Sequence, residues 1–436
     1  MQQKLINIIL STRRRRIVMI AQKTLVSIFP FLLIATIVLV ISEAVFNEGG
    51  YINNLFKVSS WFPRFNLIDR VTSNLISLLG GLTATITAYF AAKYTARAYE
   101  RSAGTAGITA LIFSLIVNSR ELFAKFINDG ELTRINLPVN FNLFIAICIG
   151  YLIGQIFRLL SPAGHRIVDD NYVYHPRTGR PVFVSIAVAV LCNALISLGT
   201  RYNVFSYIGT VFSNFFKIGS GVRQVAVDTV LRSVSAWVGN SSVYNEIGFI
   251  SDPDAIINLN SALGSGTTSS IPKLFTDTNL YAAYGGLAGL GGTLALIVAI
   301  LWKSASDKDQ NIGIRSIFPA LFNHGVPAMV GIPVFLNLIY LVPFIVVPLV
   351  NVLLAAVLLY FKIVPPAVYP VPAGTPNILY AFVGTAGSIR ALTASIALFV
   401  LDILIYVQFV KLDNRVHEML LKEDMDGKEN RDEEID

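Results

Sequence analysis

The chain has 436 residues, 54% of them hydrophobic and only 14% charged, with a formal net charge of +7. Soluble domains carry roughly 25% charged residues, so this composition excludes an ordinary soluble domain and marks a polytopic membrane protein. The charge is uneven: from Leu412 onward there are four basic and ten acidic residues, which leaves 30 basic against 17 acidic on the rest. A basic membrane body holds its positive residues at the cytoplasmic face. The only polybasic run is 13–16, and no nucleic-acid partner is expected.

Taken in chain order, residues 1–16 form a basic amphipathic lead expected at the cytoplasmic interface. The apolar run 17–41 follows the four arginines directly. It exceeds a signal-peptide core and has no small-residue cleavage pattern, so a retained first helix is expected, with its start in the cytoplasm. Further apolar runs at 71–92, 141–160, 182–198, 284–302, 328–359 and 392–409 approach the ~20 residues that cross a bilayer. Shorter ones lie at 111–117 and 204–216. Splitting the longest run and counting the short ones predicts about ten helices, with an error of about two. Cys148 and Cys192 both lie in apolar runs and read as small buried hydrophobes, with no metal or disulfide spacing.

Between these runs, 118–140 and 165–181 are polar insertions; the second holds His165 and His175, read as surface residues. Residues 220–240 have helical spacing, with Val227, Val230, Leu231, Val234 and Val238 on one face and Asp228 placed to pair with Arg232. The helix is expected to lie on the membrane or to link two layers. The polar stretch 241–272 is too long for an idle connection. Between 282 and 292 nearly every residue is Gly or Ala, which lets helices approach closely in lipid. "FNHGVPAMVGIPVFLN" (322–337) and the Pro- and Gly-rich 364–390 interrupt the hydrophobic pattern. Such backbone survives at membrane depth only where protein buries it or it lines a watery cavity, and broken helices of this kind build transporter substrate sites.

"GGLAGLGGTLAL", a charged loop and "IFPALFNHGVPAMVGIPVFLN" resemble the membrane IIC subunit of the bacterial sugar phosphotransferase system, in its lactose, cellobiose and diacetylchitobiose branch. Gly285, Gly286, Gly289, Thr293 and Leu294 fit the first element of that family's pattern. Pro319, Phe322, Asn323, Pro327, Gly331, Pro333, Leu336 and Asn337 fit the second, and Thr375, Pro376, Thr385, Gly387 and Arg390 a third. Val326 stands where the family has its glutamate and Gly325 where it has an asparagine, and "WVGNSS" lacks the histidine that follows the family's tryptophan.

The resemblance implies an all-α polytopic membrane protein with re-entrant hairpins and a dimeric, elevator-like architecture. Residues 1–217 would form the scaffold and dimerisation half, 218–411 the substrate half and 412–436 an acidic, solvated cytoplasmic tail. It implies a translocator for a di- or oligosaccharide in the bacterial cytoplasmic membrane, with separate IIB and IIA partners; Arg13–Arg16 and an approximately even span count place both termini inside. The departures keep open a second reading, a IIC-like membrane sensor that has lost phosphotransfer. No cofactor, metal site or self-contained catalytic motif is expected.

The candidate substrate-binding residues are Asn323, His324, Asn240, Ser241, Trp237, Thr375 and Arg390. Four of them have a structural alternative. Asn323 can bond a sugar hydroxyl or cap a helix; His324 can bond ligand or be satisfied by a neighbouring carbonyl. Trp237 can stack on a sugar ring or anchor at the interface. Arg390 can clamp the fold or touch ligand. Glu246 reads as a solvated loop residue. Glu43 and Asp402, acids at or within apolar runs, can cap or pair.

Overall fold

The computed structural model describes residues 9–13, 15–118, 142–162, 178–239, 252–268 and 271–432. Asn240, Ser241, Glu246, His165 and His175 lie outside them. The described residues are built from helices, with one isolated backbone bridge between Gly50 and Ala373.

The first apolar run forms α1 (Arg16–Ile41), which ends in a π-turn over Ser42–Phe46. Short helices α2 (Tyr51–Phe56) and α3 (Val58–Trp61) lead into α4 (Phe65–Ala98). Then come α5 (Ala103–Asn118), α6 (Leu143–Leu160), α7 (Gly179–Arg201) and α8 (Val204–Phe215). Next are α9 (Val222–Val238) and α10 (Pro253–Ser265). A π-helical segment (Thr278–Gly285) and a 3-10 turn (Leu290–Gly292) precede α11 (Thr293–Lys303). The chain closes with α12 (Asp307–Leu321), α13 (Val326–Gly331), α14 (Leu338–Tyr360), α15 (Asn377–Gly384) and α16 (Ile389–Asp432).

Among the described residues, seven helices are long and apolar enough to cross a membrane, with Ala103–Val117 as a shorter apolar helix. The expected ten also counted pieces that fold here as α8 and as the short α13.

Small residues decide the packing of α4–α7. Ala88, Ala92, Ala96, Ala106, Ala110, Ala146 and Ala189 are buried together with Phe113, Ile153 and Phe157. A Cβ at Gly150 would stand 2.4 Å from the Ala88 carbonyl oxygen, and one at Gly154 2.3 Å from Thr95 Cβ. These helices therefore meet backbone to backbone, the contact that holds helices together where lipid offers no hydrophobic drive. A second core joins α1, through Leu25, Ile28 and Leu32, to Leu296, Ile297, Met329, Val330, Phe335, Phe344 and Tyr406. Thus α1 packs on α4 along one side and on α12 and α13 along another.

Several expectations change. The helix at 222–238 exists, but it buries Val225, Thr229, Ser233 and Ala236 rather than the valine face, and Val234 is exposed. Its small and hydroxyl side chains pack on α14, as close helix contact in lipid favours. Arg232 pairs with Asp277 at 2.8 Å and lies over the Tyr281 ring, while Asp228 accepts from Gln224 Nε2. The polar stretch 241–272 contains α10, capped by Asp252, whose Oδ1 accepts from the Asp254 and Ala255 amides. Cys148 is exposed, because α6 buries the opposite face through Ala146, Gly150 and Ile153, and Cys192 on α7 is half-buried. In the N-terminal lead, residues 9–13 are helical and Ile9 packs against Ile339 and Val416. The acidic tail continues α16 as helix to Asp432; its Glu and Lys residues are good helix formers.

Candidate functional site

Three breaks in the helical pattern converge. The first is the turn between α12 and α13. Ser306 caps α12 by accepting from the Asp309 amide, and Asp307 and Asp309 sit favourably in the first turn. Pro319 lies in the last turn, and its carbonyl accepts from the Phe322 and His324 amides. Asn323 then takes a left-handed conformation, φ 73°, which asparagine tolerates better than most residues. A Cβ at Gly325 would stand 2.6 Å from Thr293 Cβ. The glycine found here in place of the family's asparagine therefore brings the start of α13 against the start of α11.

The second break is the glycine run that the sequence suggested only as a close-packing surface. Gly289, Gly291 and Gly292 have φ of 79°, 62° and 75°, values that favour glycine. A Cβ at Gly291 would stand 2.2 Å from the Phe344 ring. The Tyr406 hydroxyl donates to the Gly291 carbonyl, which fixes the turn from α16.

The third break is Pro372–Pro376. Thr375 Oγ1 donates to the Pro372 carbonyl at 2.7 Å, so this buried hydroxyl holds its own loop. Ala373 accepts from the Tyr51 amide at 2.8 Å and donates to the Gly49 carbonyl at 3.1 Å, which ties the loop to the segment after α1.

Side chains meet where the breaks meet. Asn377 Nδ2 donates to Asn323 Oδ1 at 2.8 Å. Both amide groups lie near Gly289, whose missing side chain leaves them room. This bond leaves Asn323 Nδ2 and Asn377 Oδ1 without a protein partner among the described residues. His324 is 2% exposed, and its Nε2 lies 3.0 Å from Glu43 Oε2. A protonated imidazole makes this an ion pair; a neutral ring protonated at Nε2 donates a hydrogen bond. Glu43 sits in the π-turn that ends α1, and such turns recur at functional sites. Its side chain is 25% exposed.

Among the sequence candidates, the structure brings Asn323 and His324 to this point, with Thr375 two residues from Asn377. Trp237 does not present its indole N–H to a ligand: Nε1 donates to the Asn337 carbonyl at 3.1 Å, and the Trp237 carbonyl accepts from the Leu336 amide. Arg390 is exposed at the start of α16. Glu43 and Asn377 were not expected here. From the sequence Glu43 reads only as a capping or pairing acid, and its partner lies 281 residues away. Val326, where the family has its glutamate, is 7% exposed within the apolar core of Met329 and Val330. A carboxylate is present beside His324 all the same, supplied by α1.

A polar centre assembled from broken helices within an apolar helical bundle is the construction found at transporter substrate sites. Over most of its length the chain is similar to IIC permease components of sugar phosphotransferase systems. It is 24% identical over 392 residues to the lichenan permease IIC component of Bacillus subtilis (strain 168), covering 83% of this chain and 82% of that one. The putative permease IIC component YwbA of the same organism is 23% identical, covering 76% and 77%. The cellobiose-specific EIIC component of Lactococcus lactis subsp. lactis (strain IL1403) is 35% identical over 136 residues, a match spanning 31% of this chain and 28% of that relative. No family model matches the chain. The crystal structure of the transporter ChbC, the IIC component of an N,N'-diacetylchitobiose-specific system, aligns over 93% of this chain and 95% of its own. Identity is 20% and the TM-score 0.41, too low to define a shared fold.

Proposed function

We propose that the protein is the sugar-translocating IIC component of a phosphotransferase system in the bacterial cytoplasmic membrane, taking a di- or oligosaccharide. The observation that carries this is the meeting of Asn323 and Asn377 at three helix breaks, beside the His324–Glu43 pair. Amides offer both donors and acceptors, which suits hydroxyl groups that both give and take hydrogen bonds. Asn323 is half-buried, and the free amide atoms Asn323 Nδ2 and Asn377 Oδ1 are not sealed from solvent, so both are open to a hydroxylated ligand. Relatives named for cellobiose and lichenan support a sugar of this size class. Glu43 would supply from the first helix the carboxylate that Val326 lacks, which removes the main reason for reading the chain as a sensor without transport.

In this reading the homodimer is held by the 1–217 half, residues 218–411 carry the sugar, and both termini face the cytoplasm. IIB and IIA proteins supply phosphate. The test is binding of purified protein to a panel of sugars, followed by uptake in vesicles with and without IIB. Uptake that depends on IIB supports the proposal; a folded protein that binds no sugar in the panel contradicts it.

A further inference from the structure

Away from the helix breaks, one pair of buried polar side chains is only half bonded. Asp402 on α16 and Asn351 on α14 both have 0% exposure. Asn351 Nδ2 donates to Asp402 Oδ2 at 2.9 Å. The two remaining oxygens, Asp402 Oδ1 and Asn351 Oδ1, are buried and have no donor among the described residues.

The arrangement has a simple chemical completion. A carboxyl and a carboxamide are planar groups of the same shape. With one bond formed from the amide nitrogen to a carboxyl oxygen, the pair can close a ring if the second carboxyl oxygen gives a proton to the amide oxygen. An ionised carboxylate only accepts, whereas a protonated one has an O–H to donate. The surroundings favour the uncharged form. Val352 and Leu398, neighbours of the two residues along their helices, are buried hydrophobics. An acid inside a membrane span needs a partner for its charge, and Asp402 has no salt bridge to Lys, Arg or His among the described residues. The helices packed on α16 are α11, α14 and α15. Their titratable side chains among the described residues are Lys303 at the end of α11, Tyr340 and Tyr360 near the two ends of α14, and Tyr380 on α15. On α16 itself Tyr406, one turn from Asp402, gives its hydroxyl to Gly291.

We propose that Asp402 and Asn351 form a proton-binding site within the membrane. Asp402 is held as a neutral acid, its Oδ1–H donated to Asn351 Oδ1, so that two bonds join α14 to α16. The ligand is a proton rather than a hard metal cation, which would need several more oxygen donors. Releasing the proton leaves a negative charge one turn from the tyrosine that fixes the glycine break, so the site gives the permease a proton-dependent element apart from its sugar contacts.

Infrared spectroscopy of the purified full chain in lipid, with aspartate carboxyls isotopically labelled, reads the charge state directly. At neutral pH a protonated-carboxyl carbonyl band is expected that shifts in heavy water and is lost in Asp402→Asn. That variant has a second amide hydrogen for Asn351 Oδ1 and should keep the thermal midpoint, whereas Asp402→Leu should lower it. Asn351→Leu leaves the acid in place, so its band should remain and move to higher frequency as the hydrogen bond is lost. Absence of the band in the unsubstituted chain, or its persistence in Asp402→Asn, overturns the proposal. None of these readouts depends on sugar binding.

Discussion

At the residue scale, the candidate site rests on two amides and one imidazole–carboxylate pair. Asn323 is held at φ 73°, so Asn323→Ala would mix lost hydrogen bonding with about 1–2 kcal/mol of left-handed strain. Asn323→Gly keeps the conformation and deletes the amide. It and Asn377→Ala should each weaken sugar binding about ten- to a hundredfold, at ~1.4 kcal/mol per decade; titration calorimetry on folded protein checks this. Glu43→Gln keeps the shape of the side chain and removes its charge. It should weaken binding by about tenfold, while circular dichroism stays unchanged. Val326→Glu would put an unpaired charge into the core of Met329 and Val330. It should lose several kcal/mol of stability, seen as a lower thermal midpoint, rather than restore the family's carboxylate. Asn323 and His324 were legible in the sequence because a polar pair interrupts an apolar run at a recognisable spacing. Glu43 and Asn377 were not, since each meets its partner only through tertiary contact, across 281 and 54 residues. At Trp237 the structure adds what the sequence does not show: the indole N–H is spent on the Asn337 carbonyl, so only the ring face is left for a sugar.

At the element scale, the long spans followed directly from hydrophobic run length, because lipid thickness sets that length. The face of α9 did not follow, because membrane helices bury small residues and turn valines outward, the reverse of the soluble rule. The Gly289–Gly292 turn was hidden for a related reason: glycine density signals close packing and helix breaks alike. The left-handed angles decide between them, and they make a prediction. Gly291→Ala would place a Cβ 2.2 Å from the Phe344 ring at φ 62°. Strain and overpacking together should cost about 2–4 kcal/mol, read as a lower midpoint in detergent. An unchanged midpoint would mean that the turn is not built as described.

At the scale of the whole molecule, α1 links α4 to α12 and α13 through an apolar face with polar ties at its ends. Near its start, Arg13 pairs with Asp413, which also accepts from the Tyr340 hydroxyl. Past its end lie the Glu43–His324 pair and the pairing of Gly49 and Tyr51 with Ala373. An apolar interface has no directional bonds to resist sliding, so these ties hold the present arrangement. If translocation moves one half past the other, the outer ties must open. A cleavable thiol cross-link between Tyr51→Cys and Ala373→Cys, at a tie outside the candidate site, should then block uptake, and its reduction should restore it. The central claim, that the helix breaks form a sugar site, is tested most directly by equilibrium binding of a sugar panel to the unsubstituted chain and to Asn377→Ala. The account predicts that a di- or oligosaccharide binds the former and binds the folded variant about ten- to a hundredfold more weakly; equal affinity in the two would contradict it.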